Sequence, residues 1–174
     1  MGIRRPRRPV ATHRIARLAR QLLDASTLCA IATVDPRSHA HINTAYFAWT
    51  LDFDVVWLSE PGAKHSRNIR ANDSVAVAVY DSTQTWGRPD RGIQLFGAAR
   101  EIDPPAAGHE KLYATRFPTY SSVDESAYRF YVLRTARLKL FDESELGPGV
   151  FVTARVARGG KISWERTEIY LPDS

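Results

Sequence analysis

The chain has 174 residues, of which 44% are hydrophobic and 25% are charged, with 10 glycines and 10 prolines. This length allows one ordinary domain with one sizeable core, and the composition excludes collagen-like, low-complexity and disordered chains. The net charge of +5 is concentrated at the N-terminus, because residues 1–23 contain seven arginines and no acid. We interpret residues 1–11 as a basic, solvated arm in front of a single domain over residues 12–174.

No stretch of the sequence reaches the roughly 18 to 20 uncharged apolar residues of a membrane span, and no apolar segment of a signal peptide follows the N-terminal arginines. We therefore expect a soluble, cytoplasmic protein without a membrane partner. The single cysteine, Cys29, lies in an apolar run, and we expect it to fill the core.

Hydrophobic periodicity predicts the elements of the first half of the chain. Apolar residues recur at three- and four-residue steps from Thr12 to Ala25, which predicts an amphipathic helix. Segments rich in β-branched and aromatic residues at 28–34, 42–50 and 55–59 predict a three-stranded antiparallel meander. The polar segment after the proline-glycine pair, up to Arg70, is interpreted as a short helix across the sheet.

The second half of the chain continues this pattern of short strands. Strands are predicted at residues 74–80 and 93–102, followed by a helix near 106–115 that begins after two prolines. The remaining predicted strands are 128–133, 137–141, 150–156 and 162–165. Many short strands and only three helices predict a mainly β fold, an antiparallel barrel with flanking helices.

Several kinds of chemistry are not supported by the motifs. His39 and His41 share one face of a strand, but no third ligand lies at a matching spacing, so no metal site is expected. A nucleophile elbow, a phosphate-binding loop of the Walker type and a dinucleotide fingerprint are missing. No basic face continues the N-terminal arm into the domain, so we do not expect a nucleic-acid partner.

The segment from Lys64 to Arg70 leaves two interpretations open. A helix that begins after Pro61-Gly62 presents free backbone N–H groups, and Lys64, His65 and Arg67 add donors and positive charge. These features are typical of a phosphate site. They are also typical of a solvated basic turn.

The order of several segments carries a family resemblance. Residues 28–36, 40–47, 55–59, 64–72, 75–80 and 92–100 together resemble the pyridoxamine 5′-phosphate oxidase-like family of FMN-binding split barrels, over about residues 12–141. The resemblance implies a six-stranded antiparallel split β-barrel. It also implies a homodimer with flavin sites at the subunit interface.

The resemblance further implies a set of cofactor contacts. The strand residues would line the flavin ring, the residues around the short helix would hold the ribityl-phosphate, and three residues of the partner subunit would close the site. In chain order the expected contacts are Asn43, Thr44, Ala45, Tyr46, Ser59, Glu60, Lys64, His65, Asn68, Trp86, Arg91 and Gln94. His65 replaces a cation of the family pattern, and Asn43 replaces an arginine of the true oxidases.

The function expected from the resemblance is that of an FMN-dependent oxidoreductase acting on an unidentified small molecule, with no catalytic residue assigned. The alternative is a non-catalytic protein that binds flavin, the deazaflavin F420 or haem. Pyridoxamine phosphate is not the expected substrate, because the family's C-terminal Arg-Leu-His-Asp-Arg segment is absent. The acids Asp142, Glu143 and Glu145 near that region are expected to repel a phosphorylated substrate.

Overall fold

A computed structural model of the chain describes residues 2–6, 8–102, 107–121 and 127–171. In these ranges nine antiparallel strands form one sheet, and four α-helices pack against it. The elements are β1 Gly2–Arg4, α1 Thr12–Asp24, β2 Leu28–Val34, β3 Ala40–Trp49, β4 Val55–Ser59, α2 Lys64–Ala71, β5 Ser74–Tyr80, β6 Arg91–Ile102, α3 Ala107–Arg116, β7 Arg129–Asp142, α4 Glu143–Leu146, β8 Val150–Ala157 and β9 Lys161–Leu171.

The sheet closes on itself to form a barrel. Neighbouring strands follow the order β7-β4-β3-β2-β5-β6, and β6 pairs in turn with β7. Strands β8, β9 and β1 extend the sheet outward from β7. The predicted six-stranded antiparallel barrel is therefore confirmed, and so is the β2–β3–β4 meander within it.

The barrel interior is filled by alternating residues of every strand. Phe47, Trp57, Tyr131 and Leu138 are fully buried there, and the rings of Trp57 and Tyr131 stack with their centroids 5.8 Å apart. Cys29 is 2% exposed in the same core, which confirms its expected role as a core residue. Burial raises the pKa of its thiol to about 12, so the thiol is unreactive at neutral pH.

Helix α1 contributes a second layer to this core. Its apolar stripe, Ile15, Leu18, Ala19, Leu22 and Leu23, is buried, as the periodicity predicts. Each of the larger side chains adds roughly 1.5–3 kcal/mol of burial free energy. The stripe joins α1 to the strands of the closed barrel.

A smaller apolar cluster lies on the outer side of β3, β4 and β7, under α3. It is built from Ala48, Val56, Tyr113, Phe130 and Val132, together with Ile102, and its aromatic rings meet edge to face. Such contacts add roughly 0.5–1.5 kcal/mol per pair beyond area burial. Helix α3 is therefore held against the outer wall of the barrel, which is where the site described below is found. The predicted start of this helix at 103–106 lies outside the described residues.

Strand β7 is longer than the sequence predicts. The two predicted strands, 128–133 and 137–141, are joined into one strand whose register with β6 shifts between Phe96 and Gly97. A Cβ atom at Gly97 would collide with the carbonyl oxygen of Arg134, so a glycine is required at this close approach. The predicted break in the strand is therefore a β-bulge.

The N-terminal arm contains a strand that the sequence analysis does not predict. Residues Gly2–Arg4 pair with Ile169–Leu171 of β9. Farther along the arm, Arg5 forms an ion pair with Glu168 at 3.2 Å, and the Thr167 hydroxyl donates to the carbonyl oxygen of Arg8. The arm therefore runs along β9, and the division between residues 11 and 12 stays a prediction.

Candidate functional site

A cleft of about 590 Å³ lies on the outer wall of the barrel, between β3 and the segment formed by α3 and the residues after it. This volume falls in the range of sites for small organic ligands. The described residues that line it are Asn43, Thr44, Ala45, Tyr46, Leu58, Tyr113, Phe117, Thr119, Tyr120 and Tyr128.

Four predicted contacts meet in this cleft. The residues Asn43–Tyr46 form the β3 side of the cleft, and Leu58 continues it on the neighbouring strand β4. Because side chains alternate along a strand, Thr44 and Tyr46 lie on the opposite sheet face from Asn43 and Ala45. The strand therefore offers backbone groups as well as side chains along one wall.

The opposite wall of the cleft consists of aromatic rings. Phe117 contacts Tyr46 across the cleft with ring centroids 5.6 Å apart, and it contacts Tyr113 at 4.8 Å. Tyr113 in turn meets Tyr120 edge to face at 5.5 Å. The resulting surface is large, rigid and suited to a planar ligand.

The aromatic wall is not predicted by the sequence patterns. Tyr113, Phe117 and Tyr120 reach the cleft because α3 packs on the outer face of β3, β4 and β7, and Tyr128 lines it from just before β7. The density of aromatic residues between Tyr113 and Tyr131 is the signal that was available in the sequence. Spacing alone does not tell a cleft wall from a core.

Ser59 and His65 form a buried hydrogen-bonded pair beside the cleft. The Ser59 hydroxyl and the His65 Nε2 atom are 2.5 Å apart, and the two residues are 6% and 5% exposed. The hydroxyl of Ser66 donates to the Ser59 oxygen at 3.3 Å. These bonds tie the first turn of α2 to the end of β4, so His65 faces the protein interior.

The surroundings of His65 favour the neutral imidazole. Burial lowers the pKa of His65, and the stacked ring of His41, with its centroid 6.3 Å away, lowers it further. In the neutral ring with its proton on Nδ1, the Nε2 atom accepts a hydrogen bond from the Ser59 hydroxyl. Within one chain His65 therefore acts as an uncharged structural contact, and its predicted role at a phosphate stays a prediction.

We expect the stability of the fold to decrease in mild acid because of His65. The folded-state pKa lies below the unfolded value of about 6.5, so the unfolded chain takes up a proton first as the pH falls. The stabilisation is complete above that unfolded pKa and is lost as the pH falls toward the folded pKa. Urea unfolding at pH 8, 6.5 and 5 measures this loss.

His65→Gln is expected to lose less unfolding free energy between pH 8 and 5 than the unchanged protein loses. The matched control is His13→Gln, because His13 is exposed on α1. If the His65 variant shows the full pH dependence and the His13 variant does not, the buried ring is not the titrating group.

The other predicted residues around α2 differ in accessibility. Asn68 is buried, and its amide nitrogen donates to the Thr33 hydroxyl at 3.0 Å. Lys64 and Glu60 are exposed at the start of the helix. Arg70 forms an ion pair with Glu101 at 2.9 Å, so it is tied to the barrel. Lys64 is thus the predicted phosphate contact whose charge is free to meet a ligand.

The three residues expected from a partner subunit do not line the cleft of their own chain. Trp86 is fully exposed in the loop between β5 and β6. Arg91 begins β6, and Gln94 lies three residues farther along, opposite Ala78 of β5. All three are accessible, and their roles stay predictions.

The acidic residues near the end of β7 have hydrogen-bond or ion-pair partners within the fold. Asp142 accepts a bond from the backbone N–H of Glu145 and caps α4, and Glu143 accepts from the N–H of Gly149. Glu145 forms an ion pair with Arg17 at 2.9 Å. None of these acids lines the described cleft, so the expectation that they repel a substrate is not supported by their positions.

The closed barrel with a cleft on its outer wall defines a split-barrel protein. The chain belongs to the pyridoxamine 5′-phosphate oxidase family, because the family model matches residues 15–141. The match begins within α1, ends one residue before the end of β7 and does not include β8 and β9. No curated protein matches the chain significantly.

Solved structures share the fold at low sequence identity. A pyridoxamine 5′-phosphate oxidase-related, FMN-binding protein from Nostoc punctiforme is 12% identical, with a TM-score of 0.59 over 88% of this chain and 93% of that chain. A haem-binding protein from Mycobacterium smegmatis is 16% identical, with a TM-score of 0.58 over 91% of this chain and 59% of that chain. An F420 reductase is 21% identical, with a TM-score of 0.54 over 68% of this chain and 93% of that chain.

The helices found within the described ranges are too short or too polar to cross a bilayer.

Proposed function

We propose that the protein binds FMN in the cleft between β3 and α3 and acts as a flavin-dependent oxidoreductase on a small molecule other than pyridoxamine phosphate. The observation that carries the proposal is that the strand Asn43–Tyr46, expected to line the flavin ring, forms one wall of the largely aromatic cleft. Membership in the family and the likeness to an FMN-binding relative support the same ligand.

The hydrogen-bonding groups, the aromatic surface and the charge that the chain offers fit a flavin. The backbone groups of Asn43 and the Thr44 hydroxyl supply hydrogen bonds for a ring with carbonyl and N–H groups. Tyr46 supplies apolar surface for the ring on the β3 side of the cleft. Lys64, exposed at the N-terminus of α2, supplies a charge for the phosphate, and the free N–H groups of that helix end add to it.

When bound, the flavin would supply hydride or electron transfer. The protein's own contribution is positional. Asn43 and Thr44 would orient the ring, the tyrosines and Phe117 would exclude water from its surface, and Lys64 would neutralise the phosphate.

The proposal includes a homodimer, because the outer face of β2, β3 and β5 exposes large apolar side chains. Leu28, Ile42, Tyr46 and Tyr80 are 46%, 67%, 57% and 54% exposed on this face. Isolated exposed apolar residues are ordinary, but a contiguous group of this kind is typical of an interface. Tyr46 belongs to both the face and the cleft, which supports a cofactor at the subunit boundary.

The centre of the same face is nearly flat. Ala30 pairs with Ala78 and Ala32 with Ala76, so small side chains lie between the larger ones. Gln94 lies beside Ala78 on the adjoining strand. A second copy packed here by two-fold symmetry would bring its own Gln94 against the first chain.

The visible absorption spectrum of the purified protein tests the proposal. We expect the two bands of oxidised flavin, either as purified or after addition of FMN. A Soret band would instead support the alternative of a haem carrier, and binding of F420 but not FMN would support a deazaflavin protein. The haem-binding relative and the F420 reductase make these the two alternatives to examine. Absence of binding to FMN contradicts the proposal.

A further inference from the structure

None of the described residues that line the cleft carries a charged side chain. Its lining consists of one alanine, one leucine, one phenylalanine, one asparagine, two threonines and four tyrosines. A site for an anionic substrate would need at least one cation. Moving a charged group out of water without a partner costs several kcal/mol of free energy.

Helix α3 carries three charged residues, Glu110, Lys111 and Arg116, and none of them lines the cleft. Arg116 donates to the carbonyl oxygens of Leu23 and Ser26, and its guanidinium lies 4.7 Å from the ring centroid of Phe47. Glu110 accepts from the Tyr120 hydroxyl at 3.5 Å. Arg116 is thus held by backbone carbonyl groups, Glu110 is bonded to a residue of the cleft lining, and Lys111 is exposed.

The α3 side of the cleft offers rings and hydroxyl groups. Tyr113, Phe117 and Tyr120 line this side, and Tyr128, which is 38% exposed just before β7, also lines the cleft. The hydroxyl of Thr119 is also exposed there. Rings stack on planar molecules, and hydroxyls bond to carbonyl or hydroxyl oxygens of a ligand.

We infer that the α3 side of the cleft takes an uncharged, planar aromatic molecule as the second ligand of the protein. This inference rests on the proposed function, since it places the ligand beside a flavin held by the β3 side. The charge needed for the cofactor's phosphate comes from Lys64, which does not line this cleft. The two ligands are therefore selected by different parts of the chain, one by a cation and one by the absence of charge.

A pair of ligands that differ only in charge tests the inference. We propose calorimetric titration of the FMN-loaded protein with 2-naphthol and with 2-naphthalenesulfonate, which share the same planar ring system. We expect the neutral ligand to bind at least about tenfold more tightly, because none of the described residues that line the cleft offers the sulfonate a cation. Equal affinity, tighter binding of the sulfonate, or no binding of either ligand overturns the inference.

Thr119→Lys provides the complementary change. It places a cation at an exposed position of the cleft, so we expect the preference to shift toward the sulfonate by about tenfold or more. Ser163→Lys is the matched control, because Ser163 is an exposed residue of β9. It is expected to leave the preference for the neutral ligand unchanged. Thermal unfolding of both variants checks that they fold. An unchanged preference in folded Thr119→Lys means that the ring system binds elsewhere.

The visible spectrum separates failure of this inference from failure of the proposed function. If FMN binds but the neutral ligand has no advantage, the inference is wrong and the flavin proposal stands. If no FMN binds, the same titration on the unloaded protein shows whether the cleft alone prefers the uncharged ligand. A retained preference for 2-naphthol then supports the uncharged site without the flavin, and loss of the preference overturns it.

Discussion

Replacing Lys64 by alanine is expected to weaken FMN binding by roughly 10- to 150-fold. The proposed contact is a charge-assisted hydrogen bond to the phosphate, worth on the order of 1.5–3 kcal/mol, and each factor of ten corresponds to about 1.4 kcal/mol. Lys64 is exposed in the first turn of α2, where backbone N–H groups also favour an anion. Titration of the unloaded protein with FMN, followed by quenching of flavin fluorescence, measures the change.

Riboflavin is the control ligand for this experiment, because it has the same ring without the phosphate. Its affinity is expected to change much less than that of FMN. Lys161→Ala is the control variant, since Lys161 is an exposed lysine at the start of β9, outside the family match. Arg70 is less suitable, because its ion pair with Glu101 contributes to the fold. Equal losses for both ligands in Lys64→Ala would show that the phosphate lies elsewhere.

Ala78→Arg is expected to raise the dissociation constant of the dimer by on the order of 100-fold or more, since each copy would bring an unpaired charge into an apolar contact. Ala78 lies at the centre of the exposed face, between Ala30 of β2 and Gln94 of β6. We expect FMN affinity to fall with the dimer, because the partner's residues are proposed to complete the site. Light scattering at micromolar concentration gives the mass, and the visible spectrum gives the bound flavin.

Ala157→Arg is the matched control for the dimer experiment. Ala157 is an exposed alanine at the end of β8, away from the apolar face, so the control variant is expected to remain dimeric. A monomeric mass for the unchanged protein with FMN still bound would contradict the dimer proposal. A dimeric Ala78→Arg variant would place the interface on another face.

The strands that the sequence predicts best are short runs of β-branched residues, of which β2 and β5 alternate buried and more accessible residues and β4 is buried on both sides. β2, β4 and β5 have the predicted bounds, because their β-branched residues are bounded by turns and polar segments. β9 is longer than predicted. Its second half contains Arg166 and Glu168, and their charges predict a polar loop rather than a strand. In the structure Glu168 forms ion pairs with Arg166 and with Lys139 of β7.

Only the part of the candidate site that lies on β3 was predictable from the sequence. Asn43–Tyr46 could be placed because they are consecutive on one strand and resemble a family segment. The aromatic wall could not, since it depends on long-range packing of α3 against β4 and β7. His65 reads as a basic residue in the sequence, and only its contact with Ser59 shows that it is buried and neutral.

The pairing of the N-terminal arm with β9 has a consequence for how copies of the chain associate. An outermost strand leaves a row of backbone N–H and C=O groups that another chain can extend. Here that position is occupied by β1, which is three residues long and ends in an arginine next to Arg5. A short, charged strand is a poor template for further pairing. The arginine-rich arm thus limits open-ended growth of the sheet, and the apolar face of β2, β3 and β5 is the surface through which we propose that a closed, finite assembly forms.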